Sequence, residues 1–307
     1  MKSKTGKTLM EIEGKKLQLS NLDKVFWKDL NLTKADLIDY YLEISDFILP
    51  YLRNRLQVLH RNPNGIEDQG FYQKNITQIP EWIKTIPVKR DSDGQIVHYV
   101  TCDDKATLIY LVNLGCIEVN IWSSRINRLN SPDYAIIDLD PLNVDFEKVI
   151  TAALAVKEVL DELSIKSYCK TSGKKGLHIL IPLGAAYSFE QTRNFAQRIA
   201  FLGHQKLPDI TSLERFPVNR DKKVYLDYLQ NSFGQTIVAP YSLRPIKWSG
   251  VSTPLNWSEV KEGMLPTDFN IKNAPERFRK LGDLFSGLLN PAEVDLNSVF
   301  EETMELL

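Results

Sequence analysis

The five residues SGKKG at 172–176 leave room for a turn and nothing longer between two runs that read as strands, SYCKT and LHILIPL. Parallel neighbours need a crossover of a dozen or more residues, so these two runs pair as an antiparallel hairpin. Strands and helices otherwise alternate along the chain, and the hairpin turns that pattern away from a doubly wound parallel sheet toward an α+β fold with mixed or antiparallel sheets flanked by helices. The segment YAIIDLDP at 134–141 is apolar up to its acidic end and is stopped by Pro141. An amphipathic helix with Val149, Leu154, Val156 and Leu160 follows it, and the next strand begins near Lys166. Ser188 and Gln191 form a capping pair for a later helix, and KVYLDYLQ at 223–230 reads as a last strand. Upstream, Thr33 and Asp36 make a capping box, and Leu37, Tyr41, Ile44 and Ile48 recur at helical spacing, predicting one helix from about Lys34 to Leu49. A second helix follows Asp103 and ends before Gly115. In the strand Cys116 to Trp122, Ile117, Val119 and Ile121 alternate with Glu118, Asn120 and Trp122, predicting one buried face and one free for polar work.

A 307-residue chain with 43% hydrophobic residues can bury one large core or two intimate lobes. Its formal charge of −1 neither marks nor excludes a nucleic-acid binder. Cys102, Cys116 and Cys169 are scattered and odd in number, which excludes a disulfide framework and suits a reducing cytoplasm. No apolar run is long enough to span a membrane and the first residues lack a secretory signal, so a soluble, cytoplasmic protein without a membrane partner is expected.

Three constellations carry chemistry. Asp138 and Asp140 lie two residues apart on a strand, so both leave one face and can share a hard cation such as Mg²⁺ or Mn²⁺; a strand running out into solvent through acidic residues would look the same. In SGKKGLH, glycines flank Lys174 and Lys175, so backbone N–H groups, the Ser172 hydroxyl and ammonium groups can meet a phosphate, with His178 opening the next strand; a plain basic turn is the alternative. Asp227 stands among apolar strand residues, where a carboxylate wants a cation or a salt bridge. Gln230, Asn231 and Arg244 downstream add amide and guanidinium donors. Together the three pieces meet the needs of two-metal phosphoryl transfer.

DLDP, SGKKGLH with its IPL, and YLDYLQN followed by APYSLR resemble the three motifs of the archaeo-eukaryotic primase-polymerase superfamily, and specifically the polymerase domain of bacterial DNA ligase D. The resemblance runs from about Leu17 to Leu284 and implies a primase-polymerase fold over 1–289, two lobes forming one catalytic domain, with 290–307 a tail that could be helical. It implies a template-directed polymerase that fills gaps and extends ends in double-strand break repair by non-homologous end joining, favouring ribonucleotides. Asp138, Asp140 and Asp227 match its metal triad for two Mn²⁺ or Mg²⁺ ions, with NTP or dNTP as substrate. Ser172, Lys175, His178, Gln230 and Arg244 match nucleotide-contacting positions. SNLDKVFWKDLNLTK is similar to the segment that recognises the 5′-phosphate of a gap, implying Asn21, Lys24 and Lys34. RNPNGIEDQGFYQK resembles the template loop, implying Arg61 and Lys74 on phosphates and Phe71 and Tyr72 stacked on bases. Two positions depart from the pattern: Asn120 stands at the nucleotide-binding position where a His is common, and His60 where a basic residue is frequent. The implied partners are DNA with gaps, overhangs or broken ends, and a DNA ligase and Ku as separate proteins; dimerisation across a break is compatible with this. The alternatives are a replicative or plasmid-type primase, and a weakly active end-bridging module that binds 5′-phosphorylated DNA.

Overall fold

The computed structural model describes residues 7–76, 79–90, 93–290 and 294–303. It divides into two compact units, each assembled from separated stretches: Met1–Ile121, Val238–Ser252 and Phe269–Gly282 in the first, Trp122–Ile237, Thr253–Asp268 and Asp283–Leu307 in the second.

The first unit opens with two hairpins, β1 (Lys7–Ile12) with β2 (Lys15–Ser20) and β3 (Val25–Trp27) with β4 (Leu32–Thr33). The Thr33–Asp36 capping box forms as expected and starts α1 (Lys34–Glu43). The helix expected to reach Leu49 is two helices, because it breaks at Ile44 (φ −92°, ψ 6°) before α2 (Ser45–Leu52). There the Ser45 hydroxyl donates to the Leu42 carbonyl at 2.8 Å, competing for a helical acceptor, and Pro50 inside α2 has no N–H to return to the preceding turn. The chain continues through β5 (Gln57–Arg61), β6 (Phe71–Gln73), the hairpin of β7 (Thr85–Lys89) and β8 (Ile96–Val100), α3 (Lys105–Asn113) and β9 (Cys116–Ile121). Asp104 caps α3 by accepting from the Thr107 N–H at 2.7 Å, and Gly115 (φ 84°) takes the left-handed conformation that ends it. β9 lies between the short strand Ile237–Val238 and β5, with β6 at the far edge. Alternation along β9 predicted one buried face and one free for polar work. All six residues are buried, with Glu118 and Asn120 held by partners described below.

The second unit is a six-stranded sheet in the order β13 (Thr211–Ser212), β14 (Val224–Asp227), β10 (Tyr134–Pro141), β12 (Leu177–Pro182), β11 (Tyr168–Thr171) and Pro254–Leu255. Every neighbouring pair is antiparallel except β13 with β14. The hairpin demanded by SGKKG is β11–β12 at the heart of this sheet. Helices α4 (Phe146–Glu162) and α5 (Phe189–Lys206) pack on each other and on β10 with their apolar stripes inward. The Ser188–Gln191 capping box that opens α5 is present.

β14 stops at Asp227 and not at Gln230, because the Asp227 carboxylate accepts the Leu229 N–H at 2.8 Å and turns the chain out of the ladder. Buried Asn231 then replaces the missing strand partner. Its Oδ1 accepts from the Ile136 N–H at 2.8 Å and its amide donates to the Ile136 carbonyl at 2.6 Å, satisfying both backbone groups of β10 beyond the end of β14. Within the tail, Leu296–Glu302 is helical and buries Leu296 and Val299, while the Tyr187 hydroxyl donates to the Val294 carbonyl at 2.9 Å. Residues 291–293 and 304–307 of that tail lie outside the described residues. No helix among the described residues is long and apolar enough to cross a membrane.

Candidate functional site

In the second unit the register aligns four functional side chains in one row across the sheet. Lys170 on β11 opposes His178 on β12, His178 opposes Asp138 on β10, and Asp138 opposes Asp227 on β14. Residues directly opposite in an antiparallel sheet leave the same face about 5 Å apart, so the row presents one ammonium, one imidazole and two carboxylates together. The contacts follow the row: Lys170 Nζ lies 2.7 Å from His178 Nδ1, and His178 Nε2 lies 3.4 Å from Asp138 Oδ1. An ammonium can only donate, so His178 accepts at Nδ1 and offers Nε2–H to Asp138. Lys170 is fully buried. Sequence reasoning overlooked it; the one available signal was a lysine inside the four-residue strand YCKT beside the basic turn.

Asp140 is two residues beyond Asp138 and opposes Tyr225. Arg220 reaches it, Nη2 to Oδ2 at 3.2 Å, while its guanidinium lies 4.2 Å from the centroid of the Tyr225 ring. Arg220 too went unflagged, since only the pairing of β14 with β10 brings it to the acidic face. Burial raises the Asp227 carboxyl above its ordinary value and the Asp140 charge adds to this, while the Leu229 N–H and Arg220 pull it back. A half-buried carboxylate held against ionisation beside two others is a donor set suited to a hard divalent cation. As the side chains stand, Asp138 and Asp140 engage His178 and Arg220, and among the described residues no three His, Cys, Asp or Glu groups are gathered as a ready ligand set.

The SGKKG turn is closed by Ser172, whose hydroxyl accepts from the Lys174 N–H at 3.2 Å and the Gly176 N–H at 3.0 Å. Those two amides, expected to face a phosphate, therefore hold the turn itself. Lys175 is exposed at its tip. Gly176 packs so closely on β10 that a Cβ there would lie 2.3 Å from the Leu139 carbonyl oxygen, which fixes the basic turn against the strand segment carrying Asp138 and Asp140. Gln230 sits half-buried just past the end of β14.

The first unit carries the remaining expected residues. Asn21, Lys24 and Lys34 line one cavity of about 210 Å³, and Arg61, expected at the template, joins them there. Lys34 is buried, donating to the Ser20 carbonyl at 2.7 Å and Asn113 Oδ1 at 2.8 Å. Burial, then the charges of Lys24 and Arg61, bring its pKa down to about 8. Three cations converging on one cavity disfavour one another until an anion enters. On β6, Phe71 and Tyr72 expose their rings and Lys74 follows, also exposed, which fits an aromatic and basic ribbon. The Tyr72 ring stacks on His60, centroids 4.4 Å apart, and Arg61 lies over Phe71 at 5.3 Å. Arg244 is not an open clamp: its Nε lies 2.7 Å from Glu118 Oε2, and the Asn120 amide donates to Glu118 Oε1 at 3.1 Å.

The family model for the LigD primase-polymerase domain matches residues 33–285. The bifunctional non-homologous end joining protein LigD of Bacillus subtilis is 36% identical over 291 residues, covering 94% of this chain and 46% of that protein. The multifunctional non-homologous end joining protein LigD of Pseudomonas aeruginosa is 28% identical over 268 residues, covering 86% of this chain and 32% of that protein. The chain thus spans less than half the length of these relatives. Among solved structures, the polymerase domain from Mycobacterium tuberculosis ligase D in complex with DNA matches with a TM-score of 0.82 at 26% identity, covering 89% of this chain and 97% of that one.

Proposed function

The chain belongs to the LigD primase-polymerase family, and from that premise we propose that it is a template-directed nucleotidyltransferase that fills gaps and extends ends during double-strand break repair by non-homologous end joining. The observation that carries this reading is the row Lys170, His178, Asp138 and Asp227, with Asp140 beside it. Asp138, Asp140 and Asp227 are the groups that would hold two Mn²⁺ or Mg²⁺ ions. Bound there, the cations would lower the pKa of the primer 3′-hydroxyl and neutralise charge developing on the triphosphate of an NTP or dNTP. The protein's own residues do the rest. Lys170 fixes the His178 ring so that Nε2–H faces Asp138, holding that carboxylate in place. Lys175 brings positive charge at the tip of a turn clamped to β10, while Ser172 keeps the turn's shape. Gln230, Arg244 and Asn120 are proposed as further nucleotide contacts. No side chain acts as a nucleophile. Extension of a primer on gapped duplex DNA with Mn²⁺ or Mg²⁺, run beside Asp138→Ala, tests the reading: template-dependent extension by the parent and none by the variant is expected. A parent protein that extends nothing while still binding gapped DNA would sink it.

The cavity of Asn21, Lys24, Lys34 and Arg61 is proposed to take the 5′-phosphate at the far side of a gap, and Phe71, Tyr72 and Lys74 the template. Because Lys34 titrates near 8, the preference for 5′-phosphorylated over 5′-hydroxyl gaps should shrink severalfold between pH 7 and pH 9.5. The sign is set by Lys34 alone: a phosphate monoester is already dianionic above a pKa of about 6, so its charge is constant over that range, whereas Lys34 loses its proton. The bound phosphate itself favours charged Lys34, so the decline begins near 8, the value in the unliganded protein, and continues up to the higher pKa of the bound state. Fluorescence anisotropy with the two gap substrates measures it, and a preference that stays flat with pH would remove Lys34 from the phosphate site.

A further inference from the structure

Lys24, Lys34 and Arg61 meet at one cavity of the first unit, and among the described residues each acceptor that holds them is a neutral oxygen. Lys24 donates to Asn64 Oδ1, Lys34 to the Ser20 carbonyl and Asn113 Oδ1, and Arg61 to the Leu114 carbonyl at 2.9 Å and Gln73 Oε1 at 2.7 Å. Asn113 is the last residue of α3 and lines the same cavity. Its Oδ1 accepts from Lys34 Nζ at 2.8 Å and from the Ser20 N–H at 3.1 Å, and its Nδ2 donates to the Gln18 carbonyl at 3.1 Å. The amide can sit only this way round, since Oδ1 meets two groups that only donate and Nδ2 a carbonyl that only accepts. An ammonium has three N–H groups; with Ser20 and Asn113 taking two, Lys34 keeps one for a ligand. The adjoining Leu114 carbonyl anchors Arg61, so the end of α3, where the helix dipole favours positive charge, holds two of the three cations.

We infer that Asn113 is a positioning residue: it directs the Lys34 ammonium into the cavity through a neutral acceptor and so sets the preference for a 5′-phosphorylated end over a 5′-hydroxyl end. The inference rests on the reading of this cavity as the 5′-phosphate site and deepens it. Holding a buried lysine and keeping its charge available are separate demands. A carboxylate at this position would hold the ammonium more strongly but would also neutralise it, taking the place that the phosphate is to fill. An amide fixes the rotamer and leaves all three positive charges for the dianion. An asparagine that served only to tie β2 to α3 would change stability and leave the choice between the two ends alone.

The test is the Kd of the full chain for gapped duplexes ending in a 5′-phosphate or a 5′-hydroxyl, measured by fluorescence anisotropy. The proteins compared are the parent, Asn113→Ala, Asn113→Asp, Lys34→Met and the double variant of Asn113→Ala with Lys34→Met. The preference is the ratio of the two Kd values, from which a general loss of stability or of DNA affinity cancels. Asn113→Ala is expected to lower it about tenfold, the loss of one hydrogen bond to a charged group. Asn113→Asp should lower it at least as far, because its carboxylate answers the charge that the phosphate would meet. In the Lys34→Met background Asn113→Ala should lower the preference by less than about threefold more, because its effect passes through Lys34. Should Asn113→Ala not fold, Asn113→Asp decides the matter by the same ratio. A preference within about threefold of the parent in a folded variant, or fully additive effects in the double variant, would overturn the inference with the phosphate site intact. A parent that binds both ends equally would overturn the phosphate site and the inference with it.

Discussion

Asp227→Asn is expected to abolish strand extension while leaving the folded protein more stable at neutral pH than its parent. The loss follows from proposed ligation, since removing one of three carboxylates removes several kcal/mol of transition-state stabilisation, about a thousandfold or more in rate. The gain follows from burial. Asp227 is held above its ordinary carboxyl pKa of 3.8 by desolvation first and then by the Asp140 charge, so its ionised form costs the folded state stability. A carboxyl raised on folding binds more protons in the native than in the unfolded chain, so stability falls as pH climbs from about 3.8 toward the folded value and stays reduced above it. Asparagine never ionises, and its side-chain oxygen can still accept the Leu229 N–H. The melting temperature of the variant should therefore exceed that of the parent near pH 7.5, and the gap should close toward pH 4. Thermal melts at the two pH values beside extension assays check both halves. Extension within tenfold of the parent, or a lower melting temperature at neutral pH, contradicts the assignment.

Gly176→Ala should damage both the fold and the reaction, although it adds one methyl group. The new Cβ would lie 2.3 Å from the Leu139 carbonyl oxygen, a backbone atom of the strand segment between Asp138 and Asp140, so no side chain can swing away to relieve it. Either β12 or β10 must shift. Overpacking of this kind costs about 1–3 kcal/mol, and a rigid backbone neighbour puts it at the upper end. Displacing the carboxylates by about 1 Å is worth on the order of a hundredfold in rate. Denaturant unfolding and single-turnover extension separate the two losses. A variant with parental stability and parental rate would mean that the turn is not seated against β10 as described.

These two residues mark the limits of what the sequence revealed. Features set within a few residues were legible: the Thr33–Asp36 and Ser188–Gln191 capping boxes, the stop at Gly115, the hairpin forced by SGKKG, and the shared face of Asp138 and Asp140. Features set by distant pairing were not. Nothing local tells Lys170 that its register partner leads through His178 to Asp138, or that Arg220 will lie against Asp140. Strand alternation placed Glu118 on a polar face but could not say that Arg244, more than a hundred residues later, would bury it. Local competition also misled where two signals overlapped: helical spacing ran through Ile44, and the Ser45 hydroxyl ended the helix there. At Asp227 a side chain that read as mid-strand captured its own backbone and finished the strand.

The discontinuous make-up of the two units bears on how such a chain matures. The first unit is completed by Val238–Ser252 and Phe269–Gly282, so Tyr241, Arg244 and Phe278 reach it only after most of the second unit has been synthesised. Neither unit can close before the residues after 237 have been synthesised, and no single cut of the polypeptide yields a whole half. A nascent chain arrested after residue 237 should present Glu118 without its guanidinium and Tyr41 without the Ser242 hydroxyl at 3.1 Å, and should be recognised by proteases and chaperones as unfinished. Each unit is therefore completed only by residues that follow position 237.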